Sequence, residues 1–364
     1  MNGRKITFVL PDLAGGGAQR VILTLAGALD RRRFAPSLLV AGAEGPLTRA
    51  IPPDLPVSYG HRARIRSGLP WLVRAIGRDR PAAVISTMAY VNLALLAAKP
   101  LLPRETRLIV REANTPDASL RALPGWVQPE KLYGWLYPRA DAVLAQTYEI
   151  GLALKQLAPG MDTRLSLLPN PVAVDALRQR ALRPTRSAGS GLRLIAAGRL
   201  TAQKGFDRLI KIMTAMPGDT RLDIFGEGPL LPELSSMIEA AGLQRRVLLR
   251  GFIADLAPHL AGADALVMTS RWEGLPNVAL EALAVGTPVL ASSQSGLGGL
   301  AAETGEAVRV ADSNEDVIAC LRDLSPLARP LSEPRPALLP EKYHAPLVAA
   351  RLAEVLDKVL KPRP

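Results

Sequence analysis

One cysteine, Cys320, stands in 364 residues. That excludes a disulfide framework and any cysteine-built zinc site. Histidine is nearly as scarce. His61, His259 and His344 lie far apart with no ligand spacing, so no metal centre is expected. Long apolar runs are missing as well. Residues 6–10 end at Pro11 and are too short for a signal peptide. Residues 84–102 are broken by Asn92, Lys99 and Pro100, short of the ~20 apolar residues a spanning helix needs. There is no low-complexity tract and no repeat between the halves. The expectation is a soluble protein of a reducing, cytoplasmic compartment.

What is present is globular: 48% hydrophobic and 21% charged residues, which excludes disorder for most of the chain. The length suits two domains. The net charge is +12, and it is lopsided: residues 1–172 carry +10 and the remainder +2. Such asymmetry points to an acidic partner for the first half, a nucleic acid or an anionic membrane. No nucleic-acid motif accompanies it.

Short apolar runs at residues 6–10, 38–40, 83–85, 108–110, 142–145 and 165–168 alternate with helical periodicity, as over 18–29. The alternation predicts a parallel sheet covered on both faces. Residues 181–191 are rich in Pro, Ser, Gly and Arg and read as a linker. The pattern then restarts, with strands at 192–197, 222–225, 247–249, 265–269 and 288–291 and helices at 207–216 and 276–285. The prediction is an α/β protein of two Rossmann-like domains: residues 1–172, a linker at 173–191, residues 192–344, and a C-terminal helix and tail at 345–364 packing between or across the domains. Ligands of such sheets bind at the carboxyl ends of the strands, so the expected site is the cleft between the domains.

The helix at 276–285 reads as apolar all round and therefore buried, with one carboxylate, Glu281, in its middle. A buried carboxylate needs a partner; an internal salt bridge and a ligand site both satisfy it. Ahead of the helix come Ser270-Arg271-Trp272-Glu273-Gly274-Leu275-Pro276, with Pro276 suited to the first helical position. Gly274 permits close backbone approach, and the free amides of the helix start favour an anion or a hydroxyl. Arg199 and Lys204 follow another strand. Two cations there suit a diphosphate, or are merely solvated.

Together these segments resemble family 4 of the retaining glycosyltransferases of GT-B fold. The match runs in order from Gly198-Arg199-Leu200 with Lys204-Gly205, through Phe225-Gly226-Glu227-Gly228-Pro229 and Gly251-Phe252, to residues 270–281 and Gly286-Thr287-Pro288-Val289. The resemblance covers about residues 192–293 and implies roles by position. Arg199 and Lys204 would hold the donor diphosphate and stabilise the leaving group. Glu273 would contact the donor sugar. Glu281 would accept hydrogen bonds from the nucleotide ribose. Glu227, Gly228, Gly274, Leu275 and Asn277 would line the nucleotide-sugar site. Family members are generally metal-independent, so no cofactor is expected. Front-face attack, with the leaving phosphate taking the acceptor's proton, would explain why no second carboxylate is placed as in a retaining glycosidase.

In the first half, residues 10–20 join a strand to a helix through Gly15-Gly16-Gly17. The Gly-x-Gly-x-x-Gly spacing of a dinucleotide fingerprint is absent, which argues against a nicotinamide dehydrogenase. The loop resembles the family's first glycine loop, so Gly16 and Gly17 would face the donor diphosphate. After the strand at 108–110 comes Arg111-Glu112-Ala113-Asn114, where many family members carry a histidine. Glu112 would orient the acceptor hydroxyl or assist its deprotonation, with Asn114 on the acceptor side; alternatively Glu112 pairs with Arg111 or Arg139. Arg62, Arg64 and Arg66, with Trp71 beyond them, form a basic amphipathic stretch suited to an anionic membrane. Trp126, Lys131, Tyr133, Trp135, Tyr137 and Arg139 form a second such cluster.

The function so implied is transfer of a hexosyl or N-acetylhexosaminyl group from a nucleoside-diphosphate sugar, a UDP-sugar by family tendency. The acceptor would be a lipid-linked or envelope saccharide at the inner face of the cytoplasmic membrane, as in lipopolysaccharide or other polysaccharide biosynthesis. Two alternatives are a transferase of the same fold acting on a soluble acceptor, and an inactive nucleotide-sugar-binding assembly partner.

Overall fold

The computed structural model describes residues 3–116, 129–186, 191–327 and 331–361. The chain forms two compact units: residues 1–171 with 344–364, and residues 172–343.

The first unit is built on seven strands: β1 (Arg4–Leu10), β2 (Phe34–Val40), β3 (Val57–Tyr59), β4 (Ala83–Thr87), β5 (Arg107–Arg111), β6 (Ala142–Ala145) and β7 (Leu165–Leu167). They are ordered β3-β2-β1-β4-β5-β6-β7, and all pairs are parallel. Central strands of such a sheet are buried on both faces, which is why β4 reads Ala-Val-Ile-Ser-Thr without a charge. Among the described residues up to 171, its helices are α1 (Gly17–Ala28), α2 (Ile65–Asp79), α3 (Ala89–Ala97), α4 (Pro129–Leu136) and α5 (Tyr148–Leu157). Phe8, Ile85, Ile109 and Leu144 pack against α1 on one face, and Val9, Val84, Val110 and Val143 against α2 to α5 on the other.

The second unit has six strands: β8 (Arg193–Ala197), β9 (Arg221–Phe225), β10 (Val247–Gly251), β11 (Ala265–Met268), β12 (Val289–Ser292) and β13 (Val308–Ala311). Their order is β10-β9-β8-β11-β12-β13, again all parallel. Its helices are α6 (Val174–Arg180), α7 (Phe206–Thr214), α8 (Leu231–Ala240), α9 (Ala257–Gly262), α10 (Asn277–Ala284), α11 (Gly298–Thr304) and α12 (Asn314–Arg322). Ile195, Leu266 and Val289 face α6, α9 and α10, whereas Leu194, Leu222 and Val267 face α7, α8 and α12.

Two boundaries differ from the sequence reading. The stretch 173–191 is not a tether throughout. Its first part is α6, whose Val174 and Leu177 lie in the second unit's core; residues 187–190 fall outside the described residues. The last helix, α13 (Ala345–Val359), belongs to the first unit. Val348, Leu352, Ala353 and Leu356 form its apolar stripe and share the core with Val21, Ile22 and Leu25 of α1. Burying each leucine contributes about 1.5–3 kcal/mol. Val172 N donates to Tyr343 O at 2.8 Å, so the second unit's entry and exit are joined by a backbone hydrogen bond.

Candidate active site

In each sheet one pair of neighbouring strands sends its connections in opposite directions. In the first unit the pair is β1 and β4; in the second it is β8 and β11. The crevice beyond the carboxyl ends of such a pair is where ligands of open α/β sheets bind.

In the second unit the two loops at this point are residues 198–205 after β8 and 269–276 after β11. The loops are laced together. Lys204 Nζ forms a hydrogen-bonded ion pair with Glu273 Oε1, with side chains only 18% and 10% exposed. Ser270 Oγ donates to the same oxygen at 3.0 Å, and Gln203 Nε2 donates to Trp272 O at 3.0 Å and to Glu273 Oε2 at 3.4 Å. Arg271 N donates to Gln203 O at 2.7 Å, and the Arg271 guanidinium grips Asp207 bidentately at 2.9 and 2.6 Å. That grip holds the Asp207 carboxyl below the usual carboxylate range.

Glycine makes this interlock possible. At Gly198, φ is +154° and an added Cβ would stand 2.7 Å from Lys204 Cε, so the lysine stem crosses where a side chain would be. At Gly205, φ is +65° and a Cβ would lie 2.0 Å from Thr269 O.

Lys204 and Glu273 meet, and they meet each other, so the charge expected to be free for a diphosphate is compensated by Glu273. Arg199 is exposed; its carbonyl accepts from Thr201 N at 2.8 Å, and its guanidinium makes no hydrogen bond or ion pair among the described residues. Glu227 is exposed, and its carbonyl accepts from Leu200 N at 2.8 Å, which ties the loop after β9 to the loop after β8. Gly228 is half-buried; Gly274 and Leu275 are buried. Helix α10 begins at Asn277, with Pro276 as its cap rather than its first residue. Nor is the helix buried all round. Asn277, Val278 and Glu281 are half-buried, while Ala279, Leu280, Ala282 and Leu283 are buried. Asn277 and Glu281 stand one turn apart, so they share the helix's open face.

In the first unit Gly16 caps α1 and Gly17 is its first residue. The glycine loop is braced from below by a residue pair that sequence reasoning missed. Asp12 Oδ1 accepts from Ala14 N at 3.0 Å and from Gln19 Nε2 at 2.9 Å. An aspartate two residues ahead of a loop amide is the available signal. Across the switch point, burial and then the charge of Asp12 push the Tyr90 hydroxyl up to about 12.

Glu112 is 0% exposed. Tyr137 Oη donates to Glu112 Oε2 at 2.5 Å and Tyr133 Oη at 3.2 Å, from rings stacked 4.4 Å apart. The expected alternative, an ion pair to Arg111 or Arg139, does not form. Arg111 Nη2 donates to Asn170 Oδ1, and Arg139 lies 3.8 Å over the Trp135 ring. Burial and the Glu112 charge raise the Tyr137 hydroxyl well above its ordinary value. Asn114 is half-buried, and its Oδ1 accepts from Thr115 N at 2.9 Å.

Arg62, Arg64 and Arg66 are exposed around the start of α2. Trp71 does not join them outward: it is half-buried, and a Cβ on Gly60 would stand 2.7 Å from its ring. In the second basic-aromatic cluster Tyr133 and Tyr137 turn inward, while Trp135 is 63% exposed; Trp126 lies outside the described residues. No helix of the described residues is long and apolar enough to cross a membrane.

Residues 15–176 match the family described as Glycosyltransferase Family 4, and residues 191–325 that described as Glycosyl transferases group 1. An uncharacterized glycosyltransferase of Methanocaldococcus jannaschii is 30% identical over 168 residues, 44% of this chain but only 41% of that protein. The N-acetylgalactosamine-N,N'-diacetylbacillosaminyl-diphospho-undecaprenol 4-alpha-N-acetylgalactosaminyltransferase of Campylobacter jejuni is 25% identical over 309 residues, 79% of this chain and 80% of that one. Among solved structures, Anabaena HepE in complex with UDP and glucose superposes with a TM-score of 0.71 at 17% identity, covering 98% of both chains. With its two halves matched in order and its two sheets wound alike, the chain belongs to the family 4 glycosyltransferases of GT-B fold.

Proposed function

We propose that this glycosyltransferase is a retaining enzyme. In this reading it moves a hexosyl or N-acetylhexosaminyl group from a UDP-sugar to a lipid-linked or envelope saccharide, at the inner face of the cytoplasmic membrane. The observation that carries the reading is the Lys204–Glu273 pair at the switch point of the second sheet, with Arg199 exposed and unpaired beside it. A nucleoside diphosphate gains negative charge as it leaves. A preorganised cation stabilises that charge more in the transition state than in the ground state. Arg199 supplies a free guanidinium. Lys204, held by Glu273, is fixed in place before the donor arrives. Glu273 can pass from the lysine to a sugar hydroxyl. Glu281 and Asn277, on the open face of α10, suit the ribose. No metal is required for this chemistry, and the departing phosphate is the base that takes the acceptor's proton.

The donor assignment is supported by the UDP and glucose held by Anabaena HepE. The acceptor assignment is supported by the diphospho-undecaprenol acceptor named for the C. jejuni relative. The exposed Arg62, Arg64 and Arg66 suit an anionic bilayer surface.

Calorimetric titration with UDP, GDP and ADP tests the donor. UDP is expected to bind best, and Glu281→Ala to weaken it by about 10–100-fold, the loss of a charge-assisted hydrogen bond. Equal binding of all three nucleotides, unchanged in Glu281→Ala, would remove the assignment. NMR of the product's anomeric centre tests retention.

A further inference from the structure

One buried cation of the first unit takes no part in the chemistry above. Thr87 and Arg111 are the last residues of β4 and β5, and they are partners in the ladder that joins these strands. Such partners stand about 4.8 Å apart and present their side chains to the same face. The face is the one that packs on α1 and α13, because Ile85 and Ile109, two residues earlier on each strand, lie in that core. Both Thr87 and Arg111 are 0% exposed.

Nη2 of Arg111 donates to Asn170 Oδ1, but Nε and Nη1 are buried without a hydrogen-bond partner, and so is the Thr87 hydroxyl. Glu112, next in the chain, is bonded to tyrosines of the opposite core. A buried cation with unspent donors is costly. Burial pushes the guanidinium down to about 10, which still leaves it charged at neutral pH. A structural arginine in this same protein behaves differently. Arg246 spends its nitrogens on the carbonyls of Thr220, Met213, Met216 and Pro217. Thr87 and Arg111 also sit at the carboxyl ends of adjoining strands, beside the switch point of β1 and β4, where ligands of open sheets bind. The residue after Thr87, Met88, is held at φ 72°, a strain that residues at ligand sites often carry.

We propose that Arg111 and Thr87 bind a compact oxyanion of the acceptor, the carboxylate of an acidic sugar or the phosphate of a sugar phosphate. The inference rests on reading the first unit as the acceptor half. A guanidinium is matched in shape to either oxyanion, and the threonine hydroxyl adds a donor. Arg111 is then a substrate-binding residue, and the acceptor is an anionic saccharide rather than a neutral one.

The test uses the full-length Arg199→Ala/Lys204→Ala protein, which lacks the donor-side cations. Its melting is followed with sodium phosphate, sodium glucuronate or glucose at matched ionic strength. An anion is expected to raise the melting temperature by a few degrees, through binding to the native state alone; glucose is not. A response to glucuronate assigns an acidic sugar, and a response to phosphate alone a sugar phosphate. The shift should vanish on adding Arg111→Met, and also on adding Thr87→Val. The valine is isosteric and deletes only an unpaired hydroxyl, so it keeps the test open should Arg111→Met fail to fold. Absence of any anion response, an equal response to glucose, or a response that survives Thr87→Val overturns the proposal, and buried water then holds the unspent donors. Nucleotide binding by the unaltered protein is titrated in parallel, so failure of the donor reading is seen separately.

Discussion

Lys204 and Glu273 stand 69 positions apart in sequence and meet as an ion pair in the loops after β8 and β11. The lysine is thereby set before any donor binds. Replacing it with alanine leaves a carboxylate 10% exposed without its counter-charge and, in the proposed reading, removes a cation from the leaving group. Loss of one such preorganised donor lowers kcat by about 100–1,000-fold. Lys204→Ala is expected to show that loss in single-turnover kinetics while the circular dichroism spectrum stays native. Turnover within a few-fold of the parent would contradict the role assigned to the pair.

Asp207 gives a pH-dependent signal. Its folded pKa is depressed, first by the hydrogen bonds from Arg271. A depressed carboxylate contributes stability that is present above its unfolded pKa of about 3.9 and is lost as pH falls through the folded value. Asp207→Asn should therefore be less stable than the parent at pH 7, with the gap closing in the acid range below about pH 4. Urea denaturation across that range measures it; a gap that widens on acidification has the wrong sign.

Tyr137→Phe deletes the shorter of the two tyrosine hydrogen bonds to buried Glu112. A buried acceptor deprived of a donor costs about 1–3 kcal/mol. The expected result is a lower urea midpoint with an unchanged slope. No change in midpoint would mean that Glu112 does not depend on this hydroxyl.

Arg62, Arg64 and Arg66 bear on the membrane reading. Each arginine near an anionic bilayer is worth about 1 kcal/mol, so a triple alanine variant should bind phosphatidylserine vesicles about two orders of magnitude more weakly. Added salt should weaken the parent toward the variant. Equal binding by both proteins at low salt would place the attraction elsewhere.

The second unit was the more legible half in sequence because its site is made by short loops whose glycines cannot be replaced. Gly198 and Gly205 mark where backbone and lysine stem pass within a side chain's width. The strands were legible for a similar reason, since burial on both faces leaves runs such as residues 83–87 without charge. The linker drawn over 173–191 took in α6, where polar and basic residues surround the two that matter, Val174 and Leu177. Periodicity failed at α10 because Val278 is apolar yet only half-buried, and the stripe it shares with Asn277 and Glu281 opens only in the fold. Tyr133 and Tyr137 read as surface aromatics, yet their hydroxyls reach a carboxylate 21 and 25 residues earlier. A pairing at that distance leaves no local pattern. Trp71 is similar, because the gap it fills is made by Gly60, just past the end of β3.

The return of α13 to the first unit has a consequence for biosynthesis. A ribosome finishes all of residues 172–343 before it reaches the helix that covers α1. Until then Val21, Ile22 and Leu25 lack the leucines that will cap them. The nascent first unit therefore waits with part of its apolar surface bare, open to a chaperone or to another unfinished copy. Truncation just before residue 345 should reproduce that state and yield an aggregating chain rather than a merely weakened enzyme.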